Sequence, residues 1–210
     1  MLHRLCAYLI GVLCLGQVAL AEDQLKVGEN APTSIVAEFF TGEFGLRGSA
    51  CPVLAHRDAV KVAVFVKTLD DSVVPLIETL EGIVAADEKL KWSFVFVSHE
   101  NSPTPSQEEW DTQVAQIKKV TNENKIHHLS VGLMLRILDP SGSRAKSKLG
   151  FFEDSDVVVM LIRPNAKGQR GVIHFVRKLK STELHSESIK AIKDEINQAL
   201  AASSNLTSTK

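Results

Sequence analysis

The chain has 210 residues, 24 of them basic and 25 acidic, and 44% of it is hydrophobic. A near-neutral balance with no basic stripe argues against a nucleic-acid partner, and the length suits one domain with its own core. Cysteine is scarce, at positions 6, 14 and 51 only.

Residues 1–21 read as a secretory signal peptide. Arg4 supplies one fixed charge, and Leu5 to Leu20 is apolar apart from Gly11, Gly16 and Gln17. Ala19-Leu20-Ala21 then places small residues where signal peptidase reads. The apolar run is 16 residues, short of the roughly 20 that a membrane span needs, so cleavage is expected and no stable membrane anchor. Leu13 is also too bulky to precede a lipidated Cys14. Removing 21 of the 210 residues takes Arg4, Cys6 and Cys14 away, leaving 189 residues with 23 basic side chains against 25 acidic. The expected product is exported, to the periplasm or outside the cell, with a domain over residues 22–200 and a frayed polar tail over 201–210. With one cysteine it can form no internal disulfide and must rely on its core. Cys51 is then a reactive thiol, an intermolecular link or a relic.

Strands and helices alternate through the domain. Val62 to Val66 is apolar on both faces, as a central buried strand should be. Val73, Leu76, Ile77, Leu80, Ile83 and Val84 follow at helical spacing, predicting a helix over 72–86 with Asp70, Asp71 and Ser72 as its capping residues. Pro75 fits the first turn. Trp92 to Val97 is a second strand, and Ser106-Gln107-Glu108-Glu109 is a capping box opening a helix on Trp110, Val114, Ile117 and Val120. A third strand covers 131–138. A loop over 139–156 follows, pinned by Leu149, Phe151 and Phe152. Val157 to Ile162 and Val172 to Val176 form a hairpin around 164–171, and a last helix spans 186–201.

Few residues carry recognisable chemistry. Cys51 precedes the 61–66 strand and belongs at its starting end, roughly 20 Å from the helix end that follows, at about 3.3 Å per residue. Asp70, Asp71 and His99 gather at the carboxyl edge of the strands, where α/β folds commonly bind ligands. A weak metal or small-ligand site is conceivable there, but helix capping by the two aspartates and a loop role for His99 explain them better. His127 and His128 are adjacent on an extended segment and point to opposite sides, a poor chelating pair. His174 alternates with apolar residues and should face solvent. No zinc spacing, phosphate loop or Ser/His/Asp arrangement is present, so no metal and no cofactor are expected.

The order β-α-β-α-β, then a hairpin, then α implies parallel strands with helical crossovers and an antiparallel edge. With Val27-Gly28-Glu29-Asn30-Ala31-Pro32 at its head and the extra strand at 131–138, it resembles the thioredoxin-like superfamily over residues 26–200. The nearest branches are the peroxiredoxin-like and exported thiol–disulfide exchange proteins. The resemblance implies an α/β three-layer sandwich, a central mixed sheet flanked by helices. Some exported bacterial members carry a Thr-Gly turn, here Thr41-Gly42, and then a Cys-x-x-Cys that falls on Cys51 and Leu54, so half of that motif is missing. The superfamily's own dithiol would fall near Asp70 and Val73, in Asp70-Asp71-Ser72-Val73. Its proline, usually cis, would stand before the hairpin, where this chain has Ser155 and Asp156.

The expected function is therefore a non-catalytic exported domain that binds a protein or peptide through the exposed carboxyl edge of the sheet. One alternative is a thiol-dependent oxidoreductase acting through Cys51, by thiol–disulfide exchange or reaction with peroxide. Another is a Cys51-linked homodimer.

Overall fold

The computed structural model describes residues 25–31, 35–98, 106–137, 155–165 and 171–204. Residues 1–21, His99, Leu149, Phe151, Phe152 and the last six residues of the expected tail lie outside the described residues.

Among the described residues seven strands make one mixed sheet. In chain order they are β1 (Ile35–Phe39), β2 (Ser49–Ala50), β3 (Lys61–Val66), β4 (Phe94–Val97), β5 (Ser130–Ile137), β6 (Val157–Arg163) and β7 (Val172–Leu179). Across the sheet the order is β2-β1-β5-β4-β3-β6-β7. The helices are α1 (Gly42–Gly45), α2 (Val74–Ala86), α3 (Gln107–Glu123) and α4 (Ser186–Ser204). β3, β4 and β5 run parallel through the crossovers α2 and α3, while β6 lies antiparallel to β3 and β7 antiparallel to β6. From β3 to α4 the predicted order of elements is the observed one.

The central strands are buried on both faces, and the pleat sorts their side chains by shape. Val62, Val64 and Val66 of β3 point to the same side as Val95, Val97, Val157, Val159 and Leu161. This aliphatic face packs on Leu76, Leu80 and Ile83 of α2, Ile117 and Val120 of α3, and Ile189, Ile192 and Ile196 of α4. The opposite face is aromatic, with Phe65, Phe94 and Phe96 beside Phe39, Phe44 and Trp92. It is covered by α1 and the turns after β2, through Phe44 and Val53.

Three sequence-level expectations need correction. The antiparallel β1–β2 pair, joined through α1, has no counterpart in the predicted elements; β1 gains its place by pairing with the distant β5, where Ile35 stands opposite Ile137. The α2 helix starts at Val74, and its N-cap, Val73, makes no side-chain cap bond. The last helix, expected to end at 201, continues through Ser204 on alanines and serines that a helix tolerates. Among the described residues no helix is long and apolar enough to cross a membrane.

Candidate functional site

At the carboxyl end of β3 the chain makes a closed polar turn. Asp70, expected to cap α2, instead accepts the backbone N–H of Ser72 at 2.9 Å and the Thr68 hydroxyl at 2.9 Å. The Ser72 hydroxyl donates to the same carboxylate. This is an Asx turn set one step before the helix. Burial pushes the Asp70 carboxyl up, but the Ser72 and Thr68 donors outweigh that and hold it below its ordinary value. Asp71 is exposed, Ser72 half-buried, and Val73 packs into the aliphatic core.

Ser155 and Asp156 lie beside this turn, at the start of β6. Ser155 is buried. The Asp156 carbonyl accepts Lys67 N–H at 2.9 Å, and its own N–H donates to Leu179 O at 2.8 Å. Its carboxylate accepts the Ser181 backbone N–H at 2.9 Å and the Ser181 hydroxyl at 3.2 Å. Lys67 Nζ stands 3.2 Å from the other oxygen. The Ser181 N–H, helped by Lys67, holds the Asp156 carboxyl below its ordinary value. Both backbone groups of Asp156 are thus taken up within the chain, and no cis peptide bond is present among the described residues.

Cys51 sits at the other end of β3, as the strand arithmetic requires. It follows β2 and is half-exposed. Its carbonyl accepts from Leu54 N at 3.1 Å and Ala55 N at 3.0 Å, closing a single turn. Lys61, the first residue of β3, is 1% exposed and ties that turn down. Its Nζ donates to Pro52 O at 2.8 Å, to Val53 O at 3.4 Å and to Ala55 O. Burial lowers the Lys61 ammonium to about 8, against a smaller pull upward from Asp58 and Cys51.

Sequence reasoning missed Lys61, because a lysine opening an apolar strand reads as a solvated end. It also missed the cluster around Trp92. His56, at φ +50°, stacks on that indole with centroids 3.3 Å apart and planes 12° apart. The Arg47 guanidinium covers the same ring at 4.8 Å. Desolvation first, then Arg47 and Lys61, push the His56 imidazole down.

Among the described residues the other histidines are structural or exposed. The N–H groups of His127 and His128 both donate to Glu81, and His128 Nδ1 lies 2.7 Å from it. His174 is exposed, as expected. No group of three or more metal-ligating side chains occurs among the described residues.

No protein-family model matches the sequence, and no curated protein matches it either. Solved structures do. A yeast mitochondrial 1-Cys peroxiredoxin superimposes with a TM-score of 0.51 at 11% identity, covering 86% of this chain and 78% of that one. A peroxiredoxin-like protein from Aquifex aeolicus gives 0.44 at 18% identity, over 82% and 88% of the two chains. A thiol-disulfide isomerase from Corynebacterium glutamicum gives 0.43 at 16% identity, over 80% and 95%. At these identities the likeness concerns architecture alone. The chain shares the α/β, thioredoxin-like fold of such structures.

Proposed function

We propose that this is an exported thioredoxin-like domain that performs no dithiol chemistry and serves as a binding scaffold for a protein or peptide. The observation that carries the reading is the separation of the thiol from the helix end. Lys61 anchors the Cys51 turn to the amino end of β3, whereas α2 begins beyond its carboxyl end. Six residues of β3 lie between, about 20 Å at 3.3 Å each. A thiolate gains reactivity from a helix N-terminus only in contact with it. The residues at that helix end are Asp70 to Val73, none of which can exchange disulfides.

One observation favours a second reading, a single-thiol redox protein acting through Cys51. The Lys61 ammonium and the Cys51 thiolate attract each other, and a neighbouring cation is one of the settings in which cysteines become nucleophilic.

Insulin reduction and peroxide consumption by the protein beginning at Glu22 separate the two. The scaffold reading expects background rates for wild type and Cys51→Ser alike. Turnover that Cys51→Ser abolishes replaces it with the second reading. A reductant-sensitive dimer on non-reducing electrophoresis, without turnover, assigns Cys51 to a structural link.

A further inference from the structure

The short helix α1, at the amino end of β5, is pinned from beneath. Thr41 Oγ1 donates to Leu129 O at 2.8 Å and accepts the Val131 N–H at 2.9 Å, and the Phe44 N–H donates to Ser130 Oγ at 3.2 Å. Gly42, at φ +63°, faces Ser130 and the His128 carbonyl with no room for a Cβ. Phe44 is fully buried, its ring 5.2 Å from that of Phe39 and 5.3 Å from that of Trp92. The residue that ends this anchored turn is Leu46, and it is 88% exposed. An apolar side chain held out on an anchored turn gives up little backbone freedom when a partner covers it.

Leu46 stands on the rim of a groove of about 500 Å³ between α1 and the last turn of α2, with Phe40, Val84 and Ala85 as its apolar lining. That volume lies within the range of binding pockets. Lys91 joins the groove to the Trp92 cluster, because it lines the groove and its Nζ lies 5.9 Å from the indole. The charges at this cluster are mostly positive: Arg47, Lys61 and Lys91 act on His56, with Asp58 as the opposing carboxylate. Lys91 is paired with Glu88 at 3.2 Å, and the Lys61 ammonium is engaged by the carbonyls of its turn. Arg47 differs from both. It is exposed, its guanidinium lies over the indole at 4.8 Å, and no carboxylate among the described residues pairs with it. A guanidinium held on an aromatic ring is already oriented and keeps its N–H donors for a carboxylate. Glu43, also in the lining, disfavours a ligand that is acidic throughout.

We propose that this surface docks an extended peptide of a partner protein, an apolar side chain entering the groove against Leu46, Phe40 and Val84 and an adjacent carboxylate lying on Arg47. The proposal rests on the scaffold reading. It moves the contact from the expected carboxyl edge, where the Asp156 backbone is already engaged, to the opposite end of the sheet.

NMR titration of the isotope-labelled protein beginning at Glu22 with acetyl-Gly-Leu-Leu-Asp-Gly-amide, and in parallel with its Lys-for-Asp counterpart, tests this. Saturable shifts are expected at the Trp92 indole N–H and at the Leu46 and Arg47 amides, with the lysine peptide weaker by about fivefold or more. Arg47→Glu is expected to reverse that preference, which lost packing alone would not do. Leu46→Ser is expected to weaken both peptides by about threefold or more. Shifts confined to Thr68–Ser72 and Asp156 would place the contact at the carboxyl edge, so that the scaffold reading survives and this proposal fails. Absence of saturable shifts, equal affinity for the two peptides, or an Arg47→Glu variant with the wild-type preference would each overturn it. Shifts at Leu46 that follow protein concentration alone would assign the surface to a second copy and overturn it as well. Cys51-dependent insulin reduction would end the scaffold reading and imitates none of these results.

Discussion

Lys67 and Asp156 are joined twice, once by main chain and once by side chain. The Lys67 N–H donates to the Asp156 carbonyl at 2.9 Å, and Lys67 Nζ lies 3.2 Å from the Asp156 carboxylate. Through Ser181, the same carboxylate also holds the chain that follows β7. The start of β6 is therefore tied both to the end of β3 and to the chain that follows β7.

Replacing Asp156 by alanine tests that tie. It removes the acceptor of the Ser181 N–H and the partner of Lys67, and is expected to cost about 1–2 kcal/mol, most of it from the orphaned N–H. Urea denaturation of wild type and Asp156→Ala measures it. A variant as stable as wild type would mean the tie contributes nothing.

Glu81 holds three consecutive backbone N–H groups, those of His127, His128 and Leu129, at 3.0, 3.0 and 2.7 Å. It thereby fixes α2 to the loop that leads into β5. Burial pushes its carboxyl up, and the donors of Leu129, His128 and His127 overcome that, holding it below its ordinary 4.5. A carboxyl depressed by folding contributes stability fully above its unfolded value and loses it as the pH falls through the folded value. Glu81→Gln is thus expected to destabilise by about 2 kcal/mol at pH 7, with the difference narrowing as pH is lowered below 4.5. Denaturant midpoints across that range check it, and a difference independent of pH would contradict the carboxylate's role.

Forces that act locally leave local marks in a sequence, and distant ones do not. The apolar runs at 62–66, 94–97 and 157–162 and the helical spacings after them are local marks, and they place the core of the fold correctly. The capping box at Ser106 is closed by Glu109, whose carboxylate accepts the Ser106 N–H at 2.7 Å. β1 and β2 escape such a reading because β2 is two residues long and β1 depends on β5, far away in sequence. Asp70 carries the right chemistry for a cap, but Ser72 two residues on offers a nearer donor pair. Lys61 and Arg163 escape for one reason: a cation at a strand end looks solvated until the turns and strands that bury it are in place.

Lys61 makes a pH prediction of opposite sign to Glu81. Burial lowers its ammonium from 10.5 to about 8, so between those values the unfolded chain binds the proton more readily. Stability should accordingly rise as pH increases from 8 towards 10.5. Lys61→Met leaves the carbonyls of Pro52, Val53 and Ala55 without their donor, at an expected cost of about 2 kcal/mol at pH 7. It also lacks the alkaline gain, so its deficit relative to wild type should widen above about pH 8. Thermal unfolding of both proteins between about pH 7 and 10 checks this; a deficit that shrinks would contradict it.

Cys51 lies at one end of β3 and α2 starts beyond the other, and this separation is what denies the thiol a helix end. Ser72→Cys places a second thiol beside that helix end, giving a two-cysteine protein in the chain beginning at Glu22. Spin labels on Cys51 and on the introduced thiol should report a separation of about 20 Å or more, from the strand rise. Mild oxidation should yield no intramolecular disulfide, which requires Cα atoms within about 7 Å. A short distance, together with ready closure of a disulfide between Cys51 and the introduced thiol, would place Cys51 at the helix end and contradict the scaffold reading.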